Sequence, residues 1–255
     1  MLVDLAEDHN MHPKTLRRYF DQYAGATGEV TVVREEIVVI IDAFYFSRGD
    51  GILVCRTVAG VLHWRAIATE RIEDYVACLN TVAAMGRTIV VAVVDGRRGV
   101  RQMLLARGIA VQCCQFHQML TIKKYIPERA KTEAARALRS IAFRLSESMS
   151  MQIEAALRIW KLMYGDFLKE RTYGTATKRR WQYTHRRLRS AYRSLHTNLP
   201  WLFTFERYPQ LQIPNTTNHC DGLFAHIEER IGVHRGISKA RRKQMLDYLF
   251  EQYSP

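Results

Sequence analysis

Residues 90–99 read VVAVVDGRRG, and this stretch decides the fold. Its apolar, β-branched residues end in a carboxylate at Asp95, after which Gly96 breaks the run and two arginines follow. Runs of this kind are typical of strands that are buried on both faces of a sheet. The sequence therefore predicts a buried strand over 88–95 whose last residue presents an acid.

The flanking segments extend this strand into an α/β sheet. Strands are predicted over residues 36–46, 52–58, 61–68, 88–95 and 109–116. A helix from an N-cap at Thr69 to a stop at Gly86 separates the third strand from the fourth, and a short helix over 99–108 separates the fourth from the fifth. Two hairpins followed by crossovers predict a mixed five-stranded sheet in which the fourth strand returns beside the first.

The composition changes after residue 117, where strand signals stop and helical periodicity begins. We therefore predict three segments beyond the N-terminus. Residues 30–117 form the first part of the core, residues 118–212 form a basic, all-helical insertion, and the helices of residues 213–255 complete the core.

The N-terminal segment, residues 1–24, predicts a helix-turn-helix. Pro13 suits the first position of a second helix, which would present Lys14, Thr15, Arg17 and Arg18 to DNA. An ordinary amphipathic helix pair is the alternative. Because the motif normally has a further helix, which the sequence lacks here, we expect an N-terminally shortened segment.

The charge balance favours a polyanionic partner such as nucleic acid. Lysine and arginine outnumber aspartate and glutamate by 38 to 25, which gives a net charge of +13. Between Arg171 and Pro200 there is no acid, and basic residues alternate with aromatic ones. A solvated helix face is the alternative, but the lack of compensating acids favours a phosphate-contacting surface. The candidate DNA contacts outside the N-terminal segment are Arg97, Arg98, Lys178, Arg179, Arg180, Arg186, Arg187, Arg189 and Arg235.

The number of cysteines and the hydropathy of the sequence indicate the cellular compartment of the protein. The five cysteines are odd in number and scattered through apolar segments, unlike those of a disulfide scaffold, which predicts a reducing cytoplasm. No apolar run of 18 residues occurs, and the first residues lack the pattern of a signal peptide. We expect neither a membrane span nor a membrane partner.

Two carboxylates in apolar strands suggest a metal site. Asp42 and Asp95 are costly to bury unless they are paired or bound to a cation. If their strands are neighbours, the two acids meet, and hard oxygen ligands favour Mg²⁺ or Mn²⁺. The third acid of a two-metal site is expected on the helix after the polar loop, at Asp221 with Glu228 as the fallback. A helix cap or a surface ion pair is the alternative for each aspartate, and Asn218 or the threonine before it is expected to cap this helix.

The ordered set of motifs resembles a known family. The β-β-β-α-β-α order with acids on the first and fourth strands is similar to a ribonuclease H-like core. Asp42, "VVDGRRG", "CCQFH" (113–117), the helical insertion and "NTTNHCDG…HRGIS" (215–238) together resemble a mutator-type DDE transposase of a bacterial insertion sequence. The resemblance covers roughly the whole chain. The last acid, Asp221, departs from the family, whose name implies Glu at this position.

The resemblance implies a Mg²⁺-dependent polynucleotidyl transferase that cuts DNA at the ends of an element and joins the freed 3′-hydroxyl to target DNA. It implies two metal ions held by Asp42, Asp95 and Asp221, a double-stranded DNA partner, a homodimer or larger assembly on DNA, and a bacterial cytoplasmic location near the nucleoid. A nuclease or junction resolvase of the same fold is one alternative. A DNA-binding regulator with a non-catalytic large domain is another.

The resemblance also matches a Cys-x-x-His motif to Cys114 and His117. It implies that His117 touches the DNA or orients a group in the active site. Zinc is not expected here, because two ligands of four make a poor site. A hydrogen-bonded structural pair is the alternative.

Overall fold

The computed structural model describes residues 11–15, 18, 35–173, 180–232 and 237–254. The strands of the main sheet are β1 (Glu36–Ser47), β2 (Asp50–Arg56), β3 (Val61–Ile67), β4 (Thr88–Val94) and β5 (Ala110–Cys113), and a hairpin is formed by β6 (Arg171–Tyr173) and β7 (Trp181–Tyr183). The helices of the described part are, in chain order, α1 (Ile72–Ala84), α2 (Arg98–Ala106), α3 (Gln115–Tyr125), α4 (Glu133–Phe143), α5 (Ser150–Tyr164), α6 (Arg186–Leu202), α7 (Thr204–Arg207), α8 (Asn218–Gly232) and α9 (Lys239–Gln252).

The main sheet has the order β3-β2-β1-β4-β5. β1, β2 and β3 pair antiparallel through two hairpins, and β4 pairs with β5 in parallel. The predicted return of the fourth strand beside the first is confirmed. The order is compatible with the ribonuclease H-like core, so the α/β fold class read from the sequence is confirmed too.

One compact unit comprises the chain up to Val90 together with the chain from Asn218 onward. In it α1 packs against β2 and β3, α8 packs against β1, and α9 packs against β3. The core of this unit is apolar and includes Ile40, Leu53 and Leu79, each at most 1% exposed. This burial stabilises the unit, because apolar surface removed from water contributes about 25 cal/mol per Å².

The start of α1 differs from the prediction. The N-cap is Arg71 rather than Thr69, because the Asp74 carboxylate accepts a hydrogen bond from the Arg71 backbone N–H at 3.3 Å. The predicted stop is confirmed, since Gly86 follows the helix at φ 78°, which glycine adopts without steric cost.

The second unit runs from Val91 to Thr217 and contains the predicted insertion. In it α2, α6 and α7 pack against β5, and α3 packs against α4 and α6. The insertion is not all-helical as predicted, because it includes the β6–β7 hairpin. The hairpin is held by stacking of Arg171 over Trp181 at 4.0 Å and of Arg189 over Tyr183 at 3.5 Å.

The fifth strand is shorter than predicted. It ends at Cys113, and Gln115 already begins α3, because the Cys114 thiol caps that helix by accepting from the His117 backbone N–H. Residues 13–15 and 18 are helical, as expected for the second helix of the N-terminal segment. The rest of the predicted helix-turn-helix lies outside the described residues. None of the described helices is long and apolar enough to cross a membrane.

Candidate functional site

Asp42 and Asp221 belong to the first unit and lie on elements that pack together. Asp42 is half-buried on β1, opposite Val54 of β2, and its Oδ1 accepts from the Ala43 backbone N–H at 2.9 Å. Phe44, two residues on, lies on the same face of the strand, because side chains alternate along a strand. Phe224 of α8 stacks on Phe44 with ring centroids 5.3 Å apart. Helix α8 therefore covers the face of β1 that carries Asp42.

Two contacts fix the level of α8 along β1. At the start of the helix, the Arg56 guanidinium donates to the backbone oxygen of His219 at 2.6 Å, and Arg56 pairs with Ile40 of β1. Farther along the helix, the stacked ring of Phe224 lies at the level of Phe44. Asp221 lies between these contacts, as Asp42 lies between Ile40 and Phe44 on the strand.

Glu228, the fallback acid, lies one turn beyond Phe224 and is exposed, whereas Asp221 is half-buried. The two candidate acids therefore differ in burial, and the choice of Asp221 as the third acid stays a prediction. Cys220 holds the helix in this rotation, since it is fully buried beside Cys55 and Cys78. Burial raises the pKa of the Cys55 thiol well above its usual range and that of Cys78 to about 12, so these are core thiols.

Asp95 belongs to the second unit and lies at the mouth of a cavity. It follows β4 directly, and its backbone oxygen accepts from the Arg97 N–H at 2.8 Å in a tight turn. A side chain at Gly96 would bring its Cβ to 3.1 Å from Asn198 Nδ2, a tight contact that Asn198 would have to shift to accommodate. The cavity has a volume of about 420 Å³ and is lined by Asp95, Gly96, Arg97, Cys113, Cys114, His117, Gln118, Leu120, Thr121, Lys124, Ser194 and Asn198.

A partly buried polar network supports this cavity from α2, α3 and α6. Arg101 is 5% exposed, donates to Asn198 Oδ1 at 2.7 Å, and stacks over Trp201 at 3.9 Å. Asn198 in turn donates to Gln118 Oε1 at 2.8 Å, and Gln118 donates to Ser194 Oγ at 3.2 Å. Buried polar groups that satisfy one another rigidify a site. The network therefore fixes the wall of the cavity that faces Asp95.

Cys114 and His117 form a hydrogen-bonded cluster with Thr217. The Cys114 thiol accepts from the backbone N–H of His117 at 3.5 Å and of Thr217 at 3.3 Å. The Thr217 hydroxyl lies 3.5 Å from the same sulfur and 3.4 Å from His117 Nδ1. These contacts are the ones expected if Cys114 and His117 form a hydrogen-bonded structural pair. They also attach the start of α3 to the residue directly before α8.

The two adjacent cysteines differ in acidity. Burial raises the pKa of the Cys113 thiol to about 11, against an opposing effect of Arg101. At Cys114 burial also acts to raise the pKa, but hydrogen bonds from His117 and Thr217 outweigh it and leave the pKa lowered. The thiolate fraction of Cys114 therefore grows at a lower pH than that of its neighbour.

We expect a small thiol reagent such as methyl methanethiosulfonate to modify Cys114 before Cys113 at about pH 8, because the thiolate is the nucleophile. Thr217→Val removes one hydrogen-bond donor and should slow the modification of Cys114 while leaving Cys113 unchanged. Peptide mass spectrometry over a time course measures both rates. Equal rates for the two cysteines would contradict the assignment.

The predicted DNA contacts differ in their surroundings. Arg97, Arg98, Arg180, Arg186 and Arg187 are exposed, as are Lys14 and Arg18, whereas Thr15 is half-buried. Arg189 is half-buried and is held inside the unit, because it donates to the Leu168 oxygen at 2.7 Å besides stacking on Tyr183. Arg187 donates to the Lys124 oxygen at the edge of the cavity. Arg17, Lys178, Arg179 and Arg235 lie outside the described residues.

The fit of a divalent metal depends on how the candidate ligands are grouped. The donor chemistry of three aspartates suits Mg²⁺ or Mn²⁺. Within the residues that the structure describes, however, no three His, Cys, Asp or Glu side chains are grouped closely enough to hold a metal ion. The metal site expected from the sequence therefore stays a prediction.

Several residues of the cavity were missed in the sequence. Gln118, Lys124, Ser194 and Asn198 lie on helices of the insertion, and nothing local distinguishes them from surface polar residues. One sequence signal pointed to this polar network: Gln115 and Gln118 fall one turn apart on a helix. In the structure both side chains are buried. Polar residues spaced in this way on a buried face indicate a hydrogen-bond network.

Comparisons with known proteins find similarity only among solved structures. No family model and no curated protein matches the chain. A strand transfer complex of the Drosophila P element transposase is similar at 14% identity and a TM-score of 0.32, with 94% of this chain and 79% of that chain covered. A likeness at this level identifies neither a family nor an activity.

Proposed function

We propose that the chain cuts and joins DNA strands as a transposase, with Asp42, Asp95 and Asp221 as its essential acids. The proposal is supported most directly by the contacts that hold α8, which carries Asp221, against β1, which carries Asp42. The cavity beside Asp95, with Arg97 and Lys124 on its wall, gives further support.

In the proposed reaction a water molecule attacks a phosphodiester at the element end, and the 3′-oxygen leaves as a hydroxyl. That 3′-hydroxyl then attacks a phosphodiester of the target, whose own 3′-oxygen leaves. Dependence on Mg²⁺ or Mn²⁺ is part of the proposal and rests on the carboxylate chemistry of the three aspartates. Arg97 and Lys124 are proposed to bind the phosphates, and His117 to orient a group beside Asp95.

The test is an assay of the full chain on labelled duplex DNA that carries the ends of its element, with a second duplex as target. Mg²⁺ should support both nicking and covalent joining, and a chelator should abolish both. Nicking without joining would instead indicate a nuclease or resolvase. DNA binding that a chelator leaves intact, with no cleavage under any condition, would indicate a regulator and contradict the proposal.

Arg97→Ala combined with Lys124→Ala should weaken DNA binding and reduce its salt dependence. Removing one phosphate-binding cation lowers the slope of log affinity against log salt by about 0.9, so the double variant should reduce this slope by about 1.8. Fluorescence anisotropy over a salt series measures this slope. Arg144→Ala, which removes an exposed arginine from the insertion, is the control and should leave the slope nearly unchanged. A double variant with the wild-type slope would contradict these contacts.

A further inference from the structure

Helix α5 carries an apolar face that is exposed in the part of the chain that the structure describes. Met151, Ile159, Leu162 and Met163 are 76, 58, 80 and 65% exposed, and Ala155 among them is exposed as well. At about 100° per residue these five side chains fall within roughly 120° of the helix circumference. They form one continuous stripe, which we call the α5 stripe.

The opposite side of α5 is already used. Ile153, Leu157 and Trp160 are at most 3% exposed and pack into the unit, where the Trp160 ring nitrogen donates to the Ala134 oxygen at 2.9 Å. The helix is therefore apolar on two faces, of which its own unit buries one. Single exposed apolar residues are ordinary, but a contiguous exposed patch with a polar rim is typical of a protein interface.

Charged residues run along one edge of the stripe. Glu154, Arg158 and Lys161 follow one another on this edge, and Glu154 pairs with Arg158 at 3.2 Å. All three are exposed. The signs are ordered along the helix, with the acid toward its start and the two bases toward its end. Such an edge is complementary to a copy of itself that runs in the opposite direction.

We propose that the α5 stripe is where a second copy of this chain binds, with the two α5 helices antiparallel about a two-fold axis at the level of Leu157. At a rise of about 1.5 Å per residue, Met151 of each copy then meets Met163 of the other, and Ala155 meets Ile159. Glu154 of each copy falls between the axial levels of Arg158 and Lys161 of the other. Apolar and charged contacts are thus satisfied in one register.

The size of the stripe sets the strength of the pairing. A helix of 15 residues is about 22 Å long, and one helix pair buries less than the roughly 1,200–2,000 Å² of a standard interface. We therefore expect a dimer in the micromolar range rather than an obligate one. The proposal is independent of the proposed DNA chemistry, because it uses none of the residues assigned to that chemistry.

The first experiment is sedimentation velocity of the full chain over a concentration series of about 1 to 200 µM. The wild-type protein should pass from monomer to dimer, and Leu162→Glu should raise the dissociation constant at least about tenfold. Leu105→Glu alters another exposed leucine, on α2, and should leave association unchanged. Circular dichroism checks that both variants are folded. A wild-type protein that stays monomeric throughout, or a Leu162→Glu variant that associates normally, would overturn the proposal.

The second experiment tests the antiparallel register by exchanging charges. Glu154→Lys alone, and Arg158→Glu with Lys161→Glu, should each weaken self-association because like charges then face one another. An equimolar mixture of the two variants should associate more tightly than either alone, since every facing pair again has opposite signs. A mixture that associates no better than its components would refute this register. Misfolding could explain weaker self-association of Leu162→Glu. It could not explain association that is regained when the two charge variants are mixed.

Discussion

Asp95→Asn should lower DNA cleavage by this chain at least about 100-fold while leaving its fold and its DNA affinity nearly unchanged. The amide keeps the size of the side chain but loses the negative charge that the proposed reaction requires of Asp95, and losing one group that stabilises the transition state electrostatically costs about 10²–10³ in rate. Single-turnover cleavage of labelled duplex, with protein in excess over DNA, measures the effect without a contribution from product release.

Asp166→Asn is the matched control for this substitution. Asp166 belongs to the same unit, its side chain is 95% exposed, and it pairs only at the surface with Lys169 at 2.7 Å. We expect its cleavage rate to stay within a factor of about two of wild type, since exposed pairs contribute little. Cleavage by Asp95→Asn at the wild-type rate would remove Asp95 from the mechanism and, with it, the proposed function.

Arg101→Met should lower the free energy of unfolding by about 2 to 4 kcal/mol. The methionine keeps the apolar stem but loses the donor to the half-buried Asn198, and a hydrogen bond from a charged group contributes about 1.5–3 kcal/mol. The stacking on Trp201 is lost as well, which for a desolvated pair is worth up to about 2 kcal/mol. Urea denaturation followed by tryptophan fluorescence measures the change.

Arg107→Met, at the exposed end of the same helix, should change stability by at most about 0.5 kcal/mol. A second readout separates the network from general destabilisation. Arg101 lowers the pKa of Cys113, so its loss should raise that pKa further and slow alkylation of Cys113 in the folded protein. An Arg101→Met protein as stable as wild type would show that the network does not support the cavity.

The strands of the sheet were predictable because their signal is local. β1 over Val39–Ile41 and β4 over Val91–Val94 are buried on both faces and apolar, and the carboxylates at Asp42 and Asp95 stand out because each directly follows such a run. The order of hairpins and crossovers then restricts the sheet to few arrangements, and the observed order is among them.

The hairpin of the insertion was not predictable in the same way. β6 and β7 have three residues each, too few to show an alternating pattern. They are held by Arg171 and Arg189 stacking on aromatic rings, and Arg189 comes from a helix that begins after the hairpin. The alternation of basic and aromatic residues in this segment predicts a DNA-contacting surface. The Arg189 side chain instead makes internal contacts.

The sequence alone determined which acids are candidates and where the strands lie along the chain, because both depend on neighbouring residues. Only the tertiary structure decided which helix packs against β1, because α8 is held there by contacts such as the hydrogen bond between Arg56 and His219, 163 residues apart. Tertiary packing also decided which face of α5 is buried. Both helical faces are apolar, and only the position of the neighbouring helices leaves one of them exposed.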